Sequence, residues 1–295
     1  MRRVTALMLA ITLFGLGGCA SVDFSLIHPA EAPTDVVSWS EETRSGELAI
    51  RYEWAAPQGL GPFPTVVVQP GIDTAAHDLR AILWDLASRG YLAVAIDYGR
   101  VINGESRQVR FPLRNAAEIA VLLEPVRAEP RVDPTRMGLL GFSRGAAYSL
   151  LLAAEVPEFR AAVAYYPITD FERWVDEREQ RSAIWRLAFT VARWQFRSEG
   201  HGLDDSDLRG LLKQSSAINR AQDIRTPVLF IHGDRDSVAP LRDSVSLNAL
   251  LNERCDCSKL IVVRNGDHSF NFKDPAKAAN SWYATLDWLA RYLKA

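Results

Sequence analysis

The sequence has no apolar run of the roughly 20 residues that a membrane-spanning helix needs. The run Ala6–Leu16 stops at eleven and ends among Gly15, Gly17 and Gly18. There is no surplus of positive charge: 34 Lys and Arg against 36 Asp and Glu leave a formal charge of −2, and nothing in that balance attracts nucleic acid. Cysteine is scarce, at three residues. Cys255 and Cys257, in "CDCS", have no further metal ligands nearby, and one intervening residue makes any disulfide between them a tight ring. A strained bond and two free thiols both stay open. Histidine numbers only five, which shortens the search for a base. No internal repeat is present.

What is there begins with Arg2 and Arg3, the short apolar run and "LGGC" closing at Cys19. That is the pattern of a secretion signal, and the early glycines speak against a spanning anchor. Leu16-Gly17-Gly18-Cys19 resembles the bacterial lipobox, which implies cleavage before Cys19 and acyl chains attached to it. Two or more such chains hold a protein stably on a membrane, whereas one holds it marginally. The expectation is an exported protein of the bacterial envelope, lipid-anchored through Cys19, with residues 1 to 18 as signal peptide and 19 to 35 as tether. Residues 1 to 18 carry two arginines and no acids, so their removal takes the charge to −4.

From residue 36 to 295 the texture is that of one large α/β domain. Candidate strands Val36–Ser40 and Glu47–Trp54, separated by the turn signal "SG", form an antiparallel entry. Then short apolar strands alternate with helical segments. "TVVVQ" (65 to 69) precedes a helix near His77–Arg89, and "YLAVAID" (91 to 97) precedes one near Asn115–Leu123. "MGLLGF" (137 to 142) leads into Arg144–Glu155, and "AAVAYYP" (161 to 167) ends at a proline. "PVLFIHG" (227 to 233) precedes Leu241–Leu251, and "KLIVVR" (259 to 264) precedes a last helix from about Pro275 to Tyr292. Continuous apolar strands alternating with helices predict a mostly parallel sheet with helices on both faces.

Residues 171 to 214 break that rhythm. They occupy a connection where a short one would suffice and hold Trp174, Trp185, Trp194, Phe171, Phe189 and Phe196. Ile184, Leu187, Ala188 and Val191 recur at helical spacing. A helical cap insertion follows, read either as a lid whose Trp185 and Trp194 line a substrate pocket or as a packed extra layer.

The chemistry starts at "GFSRG", residues 141 to 145. A G-x-S-x-G turn between strand and helix uses its glycines to crowd the backbone while exposing the serine Oγ, so Ser143 is the candidate nucleophile. The helix N-terminus behind it favours negative charge. A serine hydroxyl needs a base. His28 falls in the tether, His77 opens a helix, His201 is in the insertion and His232 lies within a strand. His268, in the loop "NGDHSF" after the last strand, is the one in the chain order Ser, Asp, His. "HGDRDSVAP" offers Asp234 and Asp236 as the orienting acid, with Asp170 as competitor and Asp236 preferred.

These motifs together resemble the α/β-hydrolase superfamily over nearly all of residues 36 to 295, and more narrowly its dienelactone-hydrolase-like branch. "PVLFIHGDRDSVAP" matches the family's strand followed by H-G-x-x-D, which selects Asp236 over Asp234. "GDHSF" matches its histidine loop, and "VDPTRMGLLGFSRGA" its nucleophile strand, here with serine where dienelactone hydrolase carries cysteine. "QPGIDTAAHDLRAILWDLASRGYLAVAID" also resembles bacterial cutinases and polyester hydrolases. The resemblance implies an oxyanion hole from the backbone N–H groups of Ile72 and Arg144. Pro70 departs from the histidine of many relatives, and Ile72 replaces the tyrosine of cutinases, which weakens the polyester reading.

The function this implies is a serine carboxylic-ester hydrolase acting on a small-molecule ester through an acyl-enzyme, with no metal or organic cofactor required. A prolyl-oligopeptidase-like serine peptidase is the enzymatic alternative, although residues 20 to 60 are too short for the β-propeller such enzymes usually carry. A non-catalytic surface binding protein on the same fold is the alternative from another class.

Overall fold

A computed structural model describes residues 22–45, 48–72, 74–102, 105–108, 122–196 and 205–294. The apolar runs become strands because a sheet covered on both faces needs apolar side chains on alternate sides. β1 (Val36–Ser45) and β2 (Leu48–Pro57) form the antiparallel entry, followed by β3 (Phe63–Gln69), β4 (Leu92–Ile102) and β5 (Glu105–Gln108). Then come β6 (Val132–Phe142), β7 (Phe159–Tyr165), β8 (Val228–Gly233) and β9 (Ser258–Val263). The sheet order is β1-β2-β4-β3-β6-β7-β8-β9, with β5 antiparallel to β4. Every pair from β4-β3 to β8-β9 is parallel. The expected mostly parallel sheet is therefore present, and the entry strands run longer than the sequence pattern gave.

Eight α-helices lie among the described residues: α1 (Arg80–Ser88), α2 (Glu124–Ala128), α3 (Arg144–Glu155), α4 (Phe171–Arg181), α5 (Ala183–Phe196), α6 (Asp205–Gln214), α7 (Leu241–Asn252) and α8 (Pro275–Leu293). The alternation inside β3 sorts them onto two faces. Val66 and Val68 pack with Ile82, Leu83 and Leu86 of α1 and Trp282 and Leu289 of α8. Val67, between them, faces Leu150 and Leu151 of α3 and Leu247 of α7. All three valines are fully buried, each stabilising the sheet by about 1.5–3 kcal/mol. The helix expected near Asn115–Leu123 lies mostly outside the described residues.

The insertion between β7 and β8 is helical, as α4, α5 and α6. Asp170 caps α4, its carboxylate accepting from the Arg173 N–H at 3.0 Å. Phe171, Trp174, Val175 and Phe189 are buried in the same cluster as α3 and α7. Ile184 and Leu187, on α5, stay exposed. The insertion is thus at least in part a packed layer.

The tether expectation needs correction for residues 22–28. The Asp23 N–H donates to the Phe272 carbonyl at 2.9 Å, and the rings of Phe24 and Phe272 lie 4.7 Å apart. His28 Nδ1 stands 3.2 Å from Asp85 Oδ2, which also accepts from Trp282 Nε1. Pro29, Pro33 and the lack of sustained periodicity across residues 20 to 35 are what read locally as a tether. Its partners lie far along the chain, where local pattern carries no signal. Cys19 and residues 1 to 21 lie outside the described residues.

Candidate active site

The backbone at "GFSRG" is folded as tightly as its composition allows. Ser143 has φ 55° and ψ −117°, a conformation that costs a non-glycine residue energy and projects its side chain off the strand end. A Cβ on Gly141 would come within 2.4 Å of the Gly145 carbonyl oxygen, and one on Gly145 within 2.0 Å of the Gln69 carbonyl oxygen. The end of β3, the end of β6 and the first turn of α3 therefore meet where only glycine fits. The Ser143 N–H donates to the Tyr165 carbonyl at 3.0 Å, tying the turn to β7.

Two further strand ends supply the partners. After β8 the chain turns through Asp234, whose N–H bonds Val263, and reaches Asp236. Asp236 has no solvent-exposed side-chain surface. Its Oδ1 accepts the N–H groups of Val238 at 2.8 Å and Ala239 at 2.7 Å. Its Oδ2 lies 2.7 Å from His268 Nδ1. After β9, the Arg235 N–H donates to Gly266 at 2.9 Å, and a Cβ on Gly233 would stand 2.2 Å from the Gly266 carbonyl oxygen. That contact presses the aspartate loop against the histidine loop. His268 Nε2 then lies 3.0 Å from Ser143 Oγ. With Nδ1–H donating to the carboxylate, Nε2 is the acceptor for the serine hydroxyl.

The structure thus brings Ser143, His268 and Asp236 into one hydrogen-bonded chain, and accounts for the other candidates separately. Asp170 is a helix cap and Asp234 faces solvent. His232 is buried, its Nε2 3.0 Å from the Ala239 carbonyl and its Nδ1 2.7 Å from Ser244 Oγ. Desolvation pushes its pKa below the usual histidine value. His77 is half exposed beside Asp78, and His201 lies outside the described residues. Arg144 buries its side chain and donates from Nη2 to the Gly71 carbonyl at 3.1 Å. A Cβ on Gly71 would sit 3.8 Å from Ser143 Cβ, so the Gly71 backbone borders the serine. Trp185 is half-buried, its ring 5.7 Å from Phe189 and nearly parallel to it. The Trp194 side chain lies outside the described residues. Cys255 and Cys257 are joined by a disulfide.

Sequence reading missed several neighbours. The Tyr166 ring lies 4.6 Å from that of His268, and its hydroxyl donates to Asn271 Oδ1 at 2.8 Å. Burial pushes the Tyr166 pKa well up. Lys273 Nζ donates to the His268 carbonyl at 2.7 Å. The second tyrosine of "AAVAYYP" immediately beyond β7 was the available signal. Among the described residues, no group of three or more His, Cys, Asp or Glu could hold a metal ion.

A mostly parallel sheet in this order, with a serine on a strained strand-to-helix turn and a histidine after the last strand, is the α/β-hydrolase fold. Within it the chain belongs to the dienelactone hydrolase family, whose profile matches residues 50–293. A Bradyrhizobium protein named "probable 2-oxo-3-(5-oxofuran-2-ylidene)propanoate lactonase" is 23% identical, over 88% of this chain and 96% of its own length. A Klebsiella pneumoniae structure named "putative dienelactone hydrolase" superposes with TM-score 0.62 and 20% identity, covering 87% of this chain and 99% of that one. The acylaminoacyl peptidase of Pyrococcus horikoshii superposes with TM-score 0.68 and 18% identity over 88% of this chain. The chain spans only 42% of that peptidase's length.

Proposed function

We propose that the protein is a serine carboxylic-ester hydrolase. The observation that carries this reading is the chain from Ser143 Oγ through the His268 ring to the buried Asp236, at 3.0 Å and 2.7 Å. His268 takes the Ser143 proton as Oγ attacks the ester carbonyl carbon. The tetrahedral oxyanion is held by the backbone N–H groups of Ile72 and Arg144. Collapse expels the alcohol, which receives the proton from His268 and leaves an acyl-serine. Water, activated by the same histidine, attacks that ester and regenerates Ser143. Asp236 keeps the imidazole in the required tautomer and offsets the charge it gains. The chain's own residues supply every step. A lactone is an internal ester, so the activity in the Bradyrhizobium relative's name falls within the same chemistry.

The test is a panel of p-nitrophenyl esters of graded acyl length beside a lactone and aminoacyl anilides. Ester or lactone turnover well above anilide turnover is expected. The reverse preference would make the protein a peptidase, the reading favoured by its likeness to part of the acylaminoacyl peptidase.

The lipobox-like "LGGC" supports a second proposal, that the mature protein is exported and lipid-anchored through Cys19. The full-length product should fractionate with membranes, and Cys19→Ser behind an ordinary cleavable signal should release it. Retention on membranes without Cys19 would contradict the anchor. Among the described residues, no helix is long and apolar enough to cross a membrane.

A further inference from the structure

Two side chains of α4, four residues apart and so on one helix face, reach the loop that carries the acid. Trp174 Nε1 donates to the Val238 carbonyl at 2.8 Å. Arg178 Nη2 donates to the Ser237 carbonyl at 3.2 Å and also to the Val238 carbonyl. The guanidinium lies 4.1 Å from the centre of the Trp174 ring and 5.4 Å from that of Trp185, so both rings attract the cation. The Ser237 carbonyl shares a peptide unit with the Val238 N–H, and the Val238 carbonyl shares one with the Ala239 N–H. Those two N–H groups are the ones that bond Asp236 Oδ1, at 2.8 and 2.7 Å. Each peptide unit thus has a cap donor on its oxygen and the acid on its nitrogen.

We infer that Arg178, assisted by Trp174, is a positioning residue for Asp236, acting from the cap through the peptide units 237–238 and 238–239. The inference rests on the reading of Ser143, His268 and Asp236 as the catalytic groups. Residues 234–240 belong to no helix or strand, and the bonds of the 237–238 and 238–239 peptide units run to the side chains of Trp174, Arg178 and Asp236. A cation on the carbonyl end polarises a peptide and strengthens its N–H as a donor, because hydrogen bonds in a chain reinforce one another. It also resists rotation of either peptide, which would turn the N–H away from Oδ1. Burial and the nearby Arg181 push Arg178 down to about 10, with Asp236 opposing the shift, so the guanidinium is charged at neutral pH. The insertion is then part of the catalytic apparatus as well as a packed layer.

The experiment compares Arg178→Met and Arg178→Lys with the wild type on one p-nitrophenyl ester, with thermal melts of each. The Met variant should lose about tenfold in kcat, the equivalent of one charge-assisted hydrogen bond, while KM stays within about twofold. Lys, which keeps the charge and one donor to the carbonyls, should recover most of that loss. In a Ser143→Ala background, the low-field proton resonance of the His268 Nδ1–H bond to Asp236 should shift or broaden with Met and return with Lys. Unchanged kcat in the Met variant would overturn the inference. So would a loss confined to KM, which makes Arg178 a substrate contact, or equal losses in Met and Lys that track the melting temperature. If Ser143→Ala itself retains turnover, the underlying catalytic reading fails. If that variant is inactive while Arg178→Met keeps its kcat, only the positioning role fails.

Discussion

The carboxyl edge of the sheet and the helical layer above it are held together by different means. At the edge, Ser143, Asp236 and His268 each follow a strand end by a few residues. They are fixed by backbone bonds and by glycine contacts without room for a methyl group. The layer is held by side chains: Arg209 to Asp176 at 2.9 Å, Arg173 to Asp243 at 2.9 Å, Arg242 to Glu177, and the rings of Trp174, Trp185 and Phe189. Backbone-fixed geometry is intolerant of substitution, and side-chain-fixed geometry can drift. On the proposed reading the reacting groups sit on the rigid edge, and substrate preference is free to vary in the layer outside the Trp174 and Arg178 contacts to the Asp236 loop.

The largest effect expected from that contrast is at the edge. Ser143→Ala should lower ester turnover roughly 10⁶-fold, leaving only oxyanion-hole and binding contributions, with an unchanged melting curve. Turnover near the wild-type rate in that variant would dissolve the distinction, since the edge would then hold no chemistry. Next, Gly145→Ala should destabilise the fold by at least about 3 kcal/mol in denaturant unfolding, because its methyl group collides with the backbone at Gln69. A loss below about 1 kcal/mol would mean that the elbow can relax.

In the layer, Trp185→Ala should change the preferred acyl length more than the melting temperature. A fully buried tryptophan truncated to alanine costs ~3–5 kcal/mol. A stability loss of that size with unchanged relative rates on short and long esters would make Trp185 a packing residue. The smallest expected effect has the opposite sign. Gly210→Ala, in α6 with nothing within 4 Å of the added carbon, should stabilise by about 0.5–1 kcal/mol.

His232, buried at the end of β8, gives the edge a pH-dependent stability. Its pKa is lowered by burial, so the folded state binds a proton less readily than the unfolded chain. The stability this carries is complete above the ordinary histidine value of about 6.5 and is lost as pH falls through the range below it. The melting temperature should therefore decline from neutral pH toward about pH 5, and His232→Asn should flatten that decline. An equally steep decline in the variant would assign the acid sensitivity elsewhere.

How far these features were legible in the sequence follows from the range of the interactions. Ser143 announced itself because a strand-to-helix turn with two glycines is a local requirement. His268 and Asp236 were found by chain order after strands that were themselves recognisable as apolar runs. Chain position offered Asp234 and Asp236 two residues apart, with Asp236 preferred, and the resemblance selected Asp236 over Asp234. Asp170 shows the limit of position as evidence: it follows a strand at the correct edge, yet its carboxylate caps α4. The donors from Trp174 and Arg178 to residues 237 and 238 could not be read, since they cross some 60 residues of chain between elements without shared periodicity. The seating of Phe24 on Phe272, and of His28 against Asp85 and Trp282, was hidden for the same reason.

The most direct measurement is covalent. The protein is treated with a fluorophosphonate, which phosphonylates an activated serine, and the adduct is mapped by peptide mass spectrometry in wild type and in His268→Gln. One adduct on Ser143 in the wild type, and none at the same exposure in the variant, is the expected result. Labelling of Ser143 that persists at the wild-type rate without His268, or an adduct on a different serine, would contradict the assignment of the hydrogen-bonded chain as the catalytic machinery.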